Sequence, residues 1–272
     1  MRIDVNGTGI EVDEGGTGEA VLLLHGWPDT HALWDAQVGA LRAAGHRTIA
    51  PDLRGFGGSD KPAEVDRYAI PFLAGDVLGV LDHFGVQRAH VVGHDWGAAI
   101  AWAIAAFAPE RVASLAALSV GHPGAFVAAG YPQREKSWYM LLFQFRDVAE
   151  EWLSRDDFRN FREWSGHPAA DEVAARLADR AALTASLAPY RANLPPEALV
   201  APPTEFPPVS VPTMGVWGSE DFALTEAQMR DSERFVTGPF RYERLDGVGH
   251  WMTLEAPGRV NELLCDFLAA PS

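Results

Sequence analysis

The chain has 272 residues, 37 acidic against 22 basic side chains, a formal net charge of −15 and a single cysteine. That balance excludes a binder of phosphate backbones, which needs a basic patch, so no nucleic-acid partner is expected. One cysteine rules out an intramolecular disulfide, no stretch reaches the ~20 apolar residues of a membrane span, and the Met1–Val5 start carries no secretory run. A reducing cytoplasm and no membrane partner are therefore expected, and the length suits one large α/β domain with or without an insertion.

Ile3–Val5 and Ile10–Val12 flank Asn6-Gly7, which predicts a hairpin. Gly15, Gly16 and Gly18 read as the next turn rather than as a phosphate loop. Ala20–Leu24 is continuously apolar, the mark of a strand buried on both faces, and it runs into His25-Gly26-Trp27-Pro28. Trp34, Val38 and Leu41 recur at helical spacing. Thr48–Ala50 is another short strand feeding the turn-rich loop Pro51–Asp60, in which Asp52 and Arg54 read as an ion pair bracing the loop. An amphipathic helix follows over Phe72–Phe84, with Gly85 as its cap. Ala89–His94 is a strand, an alanine-rich helix starts beyond Asp95, and Val112–Val120 is the next buried strand.

From Gly130 to Pro203 no buried strand is legible. Helical stretches mixing aromatics and charges take over, among them Trp138–Gln144 and Asp171–Leu187. The proline pairs Pro195-Pro196, Pro202-Pro203 and Pro207-Pro208 read as a stiff return linker. Strands resume at Thr213–Gly218 and Phe240–Leu245, and a last helical pattern holds Cys265 as a buried thiol. Alternating strands and helices predict an α/β fold whose parallel sheet is covered on both faces, with the site beyond the carboxyl ends of the strands. The expected organisation is a first core segment over 1–129, a helical cap over 130–208 and a second core segment over 209–272.

The chemistry centres on Gly93-His94-Asp95-Trp96-Gly97, a strand–turn–helix in which a carboxylate stands where a G-x-S-x-G turn holds serine. A carboxylate nucleophile displaces a leaving group from saturated carbon and leaves an ester that water must cleave. That second step needs a base, and His250 in Gly249-His250-Trp251 titrates in the right range. Asp221 in Glu220-Asp221-Phe222 is the expected orienting acid, with Glu220 a competitor beside it. The loop after Val120 offers no carboxylate. The main-chain N–H groups of Trp27 and Trp96 are the expected oxyanion donors. His25 reads as a loop brace and His94 as a support rather than a base.

These motifs, with Asp52–Gly57, resemble the epoxide hydrolases of the α/β-hydrolase fold almost from end to end. The resemblance implies two cap tyrosines that donate to the epoxide oxygen. Tyr139, five residues before the glutamine of Phe143-Gln144, and Tyr190, in Tyr190-Arg191-Ala192-Asn193, match the family contexts, whereas nothing around Tyr131 does. It further implies a small-molecule epoxide and water as reactants, a vicinal diol as product, no metal or organic cofactor, and a monomer or homodimer. Trp138, Met140 and Phe143 are candidate pocket residues, which would favour an apolar or aryl substrate. Haloalkane and fluoroacetate dehalogenases share an aspartate nucleophile, and the Trp96 indole could serve a halide. Their asparagine, arginine and His-Trp markers are replaced here by Trp27, Trp96 and Trp138-Tyr139. A dehalogenase and a catalytically silent binding protein are the alternatives.

Overall fold

The computed structural model describes residues 1–199 and 206–269. One eight-stranded sheet is built from β1 (Arg2–Val5), β2 (Thr8–Gly15), β3 (Ala20–Leu24), β4 (Arg47–Pro51), β5 (Ala89–His94), β6 (Val112–Leu118), β7 (Thr213–Gly218) and β8 (Phe240–Leu245), in the spatial order β1-β2-β4-β3-β5-β6-β7-β8. The pairs β1–β2 and β2–β4 are antiparallel, and every later neighbouring pair is parallel. Asn6 and Gly7 both have positive φ, the backbone a two-residue hairpin turn requires, so the predicted hairpin forms.

Successive residues of a strand point to opposite faces, and here both faces are covered. Val21 and Leu23 join Val92, Ala116 and Leu118 under the helices Asp35–Ala43 and Pro257–Leu268. Leu22 and Leu24 join Val91, Leu115 and Ala117 under Ile70–His83 and Trp96–Phe107. Cys265 is half-buried against the first of these layers rather than enclosed.

Among the described residues, six α-helices lie between β6 and β7: Pro123–Ala128, Gly130–Lys136, Trp138–Leu142, Val148–Ser165, Ala170–Leu177 and Arg180–Asn193. Their buried side chains, among them Tyr139, Phe161, Val173 and Leu187, belong to the same hydrophobic cluster as the sheet's second face. The expected helix over Asp171–Leu187 is two helices, because the Asp179 side chain accepts from the N–H of Ala181 and caps a new start. Pro196–Leu199 forms a single 3-10 turn, and the Pro202-Pro203 pair lies outside the described residues. Among the described residues no helix is long and apolar enough to cross a membrane.

Asp52 and Arg54 do not pair with each other. Asp52 accepts from the backbone and ring nitrogens of His31 at 2.8 and 2.7 Å and from Gly58, while Arg54 forks onto Asp76 at 2.7 and 2.6 Å. The loop is braced as expected, but each side chain reaches a different neighbouring element, so two pairs do the bracing.

Candidate active site

At the end of β5 the chain turns so sharply that Asp95 adopts φ 52° and ψ −119°, a strained backbone for a residue with a Cβ, before the helix Trp96–Phe107 begins. Two glycines permit the turn. A Cβ on Gly97 would stand 2.0 Å from the carbonyl oxygen of Leu24, and one on Gly26 would stand 2.3 Å from Cβ of Asp95. The carboxylate is thereby raised beyond the ends of β3 and β5, almost out of contact with solvent.

Its Oδ1 accepts from the Trp27 N–H at 2.8 Å. Its Oδ2 lies 3.7 Å from Nε2 of His250, too far for a hydrogen bond and close enough for an intervening reactant. Burial raises the carboxyl above its usual range, opposed by the charge of His250 and by the N–H groups of Trp27 and Trp96. His250 Nδ1 is 2.9 Å from Asp221 Oδ2, so the proton of the neutral ring sits on Nδ1 and the lone pair of Nε2 faces Asp95. Asp221 is itself fixed, its Oδ1 accepting from Ala223 and Leu224 N–H, whereas the competitor Glu220 is exposed. The His250 carbonyl accepts from His94 Nε2 at 2.9 Å and Ser119 Oγ at 3.0 Å. Burial pushes the His94 imidazole down to about 3, so it stays neutral and supports the loop. His25 also braces, its Nε2 accepting from Leu53 N–H.

Tyr139 and Tyr190 come together, ring centroids 6.1 Å apart, although 51 positions separate them in the chain. Burial, reinforced by the negative charge of Asp95, holds both phenols well above their usual pKa, so they remain proton donors. The residues around them explain their contexts. Gln144 donates to the Tyr190 carbonyl, tying one tyrosine's helix to the other's. Arg191 donates to the Phe143 carbonyl and makes a two-pronged pair with buried Glu150 at 2.8 and 3.0 Å. Asn193 accepts from Ile70 N–H and donates to the Tyr68 carbonyl. Tyr131, by contrast, is exposed. Removing one partner of a buried ion pair leaves an uncompensated charge, which costs about 3–5 kcal/mol. Glu150→Ala is therefore expected to lose that much stability in chemical denaturation; a loss within experimental error would show that Arg191 is adequately solvated without it.

A family model described as the alpha/beta hydrolase fold matches residues 19–257. Epoxide hydrolase A of Mycobacterium tuberculosis is 34% identical over 98% of this chain and 96% of its own length. An epoxide hydrolase of Caballeronia sordidicola is 33% identical over 98% and 92%. The structure of Bacillus megaterium epoxide hydrolase in complex with an inhibitor superposes with a TM-score of 0.88 at 28% identity, covering 99% of this chain and 100% of that one. The chain belongs to the epoxide hydrolases of the α/β-hydrolase fold.

In this epoxide hydrolase the three suggested pocket residues stand in different places. Phe143 is fully buried, its ring against Trp27, Tyr139, Tyr190 and Trp164. Met140 is half-buried against the main core, and Trp138 is substantially exposed. Two further groups escape a linear reading. Trp164 sits among Trp27, Tyr139 and Phe143. His167 Nε2 donates to both oxygens of buried Asp29 at 3.2 Å, joining the inserted helices to the loop that carries Trp27. Its Nδ1 accepts from Ala169 N–H, which fixes the orientation of the ring. The only sequence signal was a carboxylate following Trp27-Pro28. Among the described residues no cluster of three or more His, Cys, Asp or Glu has metal-binding geometry.

Proposed function

We propose that this enzyme opens a small-molecule epoxide to a vicinal diol through a covalent ester on Asp95, beneath a cap formed by residues 130–208. The observation that carries the reading is the gathering of one buried carboxylate, two buried tyrosines whose rings are 6.1 Å apart with Tyr190 against Trp96 at 5.0 Å, and an Asp221-bound imidazole 3.7 Å from the carboxylate. Oδ2 of Asp95 attacks a ring carbon, the carbon–oxygen bond breaks, and the oxygen takes a proton from Tyr139 or Tyr190. Nε2 of His250 then removes a proton from water, which adds to the ester carbonyl carbon. The negative charge develops on Oδ1, held by the N–H groups of Trp27 and Trp96. Collapse breaks the bond between that carbon and Oδ2; the diol leaves with Oδ2, the proton first given by the tyrosine and a proton from His250. The second proton of the water, left on the regenerated Asp95 carboxyl, passes to the phenolate, so that carboxylate and phenol are both restored.

The oxygen bookkeeping supplies the test. In a single turnover in heavy-oxygen water, the label should enter Asp95 and not the diol. Label in the diol from the first turnover would mean direct attack of water on the epoxide, and halide release from haloalkanes without diol formation would favour a dehalogenase.

A pH dependence follows from the same pair of carboxylates. Burial works against a charged His250, yet Asp221 and Asp95 outweigh it and its pKa lies above 6.5. Esterification removes the Asp95 charge, so the imidazole pKa falls in the intermediate. A base must be neutral to act, so ester hydrolysis is lost as pH drops through that lowered value. The acid limb of the hydrolysis step should lie at lower pH than the His250 titration of the resting enzyme followed by NMR. Coincidence of the two would remove the Asp95 charge from the account.

A further inference from the structure

A groove of about 430 Å³ opens beside the helix of Tyr139, lined by Trp138, Trp164, Phe222, Glu135, Lys136 and Thr225. Trp164 meets Phe222 at 5.3 Å and 87°, and Trp138 at 5.7 Å and 67°, so the rings form angled walls rather than a closed stack. A flat aromatic guest in such a slot makes both edge and face contacts. Two groups of the polar rim are already engaged, the Lys136 ammonium donating to the Asp221 carbonyl and the Thr225 hydroxyl to Gln133 at 2.9 Å, while the Glu135 carboxylate is exposed. What remains for a guest is the aromatic surface of Trp138, Trp164 and Phe222, with the Glu135 carboxylate beside it.

Two of its lining rings also pack against reacting residues. The Trp164 ring lies 4.8 Å from that of Tyr139, and Phe222 lies 5.6 Å from the His250 imidazole. Another cleft, of about 270 Å³, presents Asp29, Lys61, Arg176 and Asp179, charges ill-suited to an apolar substituent.

We propose that Trp164, with Trp138 and Phe222, forms the seat for a planar aromatic substituent and makes Trp164 a specificity-determining residue for aryl epoxides. The proposal rests on the epoxide-opening reading of Asp95, so its test carries two readouts. The first is the ratio of kcat/KM for styrene oxide to that for butene oxide. Trp164→Ala should lower the ratio about tenfold, equivalent to about 1.4 kcal/mol, Trp164→Phe should lower it less, and Trp138→Ala should move it in the same direction. The second is quenching of tryptophan fluorescence by styrene glycol, with butylene glycol as the comparison. Saturable binding of styrene glycol that weakens in Trp164→Ala supports the seat even if the wild-type enzyme converts no epoxide, an outcome that would defeat the catalytic reading alone. If Trp164→Ala does not fold, Trp138→Ala decides, because its indole is 45% exposed and its loss opens no core cavity. An unchanged ratio in the folded alanine variants, or styrene glycol binding no tighter than butylene glycol, overturns the proposal.

Discussion

A His250→Gln variant is expected to consume one equivalent of epoxide and stop. Glutamine keeps the approximate volume of the imidazole and loses its basicity, so attack by Asp95 remains possible while activation of water does not. A positioned general base contributes about 10²–10⁴-fold to a step, and steady-state diol formation should fall by that order. The resting enzyme should gain the mass of one substrate, located on the peptide that holds Asp95. Nε2 of His250 is the group that reaches toward Asp95, and His94 cannot substitute, because it is spent on the His250 carbonyl. Turnover within tenfold of wild type, or an adduct on another residue, would contradict the assigned roles of both groups.

The tyrosine pair is expected to show the opposite kinetic signature. Tyr139→Phe with Tyr190→Phe should abolish attack rather than ester hydrolysis, so no adduct accumulates even in the His250→Gln background. Loss of one donor aimed at developing negative charge costs about 10²–10³-fold in comparable sites. Each single variant should keep part of the rate, because both phenols lie near Asp95 and both stay protonated. The double variant should fall below either by at least another order of magnitude. Rapid-quench measurement of adduct formation separates the steps; full alkylation in the double variant would leave the phenols without a role. The hydroxyls alone are removed, so the ring contacts with Phe143 and Trp164 persist and folding is not the confounder.

Much of this molecule is written locally. The Asn6-Gly7 hairpin, the doubly buried runs of β3 and β5, and the glycine-flanked turn at Asp95 depend on residues adjacent in the chain. Steric limits and side-chain periodicity act over a few residues, so these features were legible without coordinates. Asp221 and His250 were also legible as loop residues following strands, and they meet at 2.9 Å. Helix boundaries in the inserted region were less so: the break at Asp179 is set by a capping hydrogen bond that a continuous helical pattern conceals.

Pairing across the chain was decided only by the fold. Asp52 and Arg54 look like natural partners two residues apart, yet the loop turns one toward His31 and the other toward Asp76, because buried charges settle wherever the tertiary structure offers a partner. Asp29 and His167 are 138 positions apart, and no local pattern could join them. The same holds for Trp164, one of several aromatics in the helical stretch after Gly130, with no site role until packing set it against Tyr139 and the open groove. The sequence by itself therefore determined the chemistry available at Asp95, since a carboxylate on a tight turn follows from short-range sterics. The tertiary structure alone decided that Trp164 packs on Tyr139 and that His167 pairs with Asp29, because those meetings depend on long-range burial that brings distant segments to one side of the sheet.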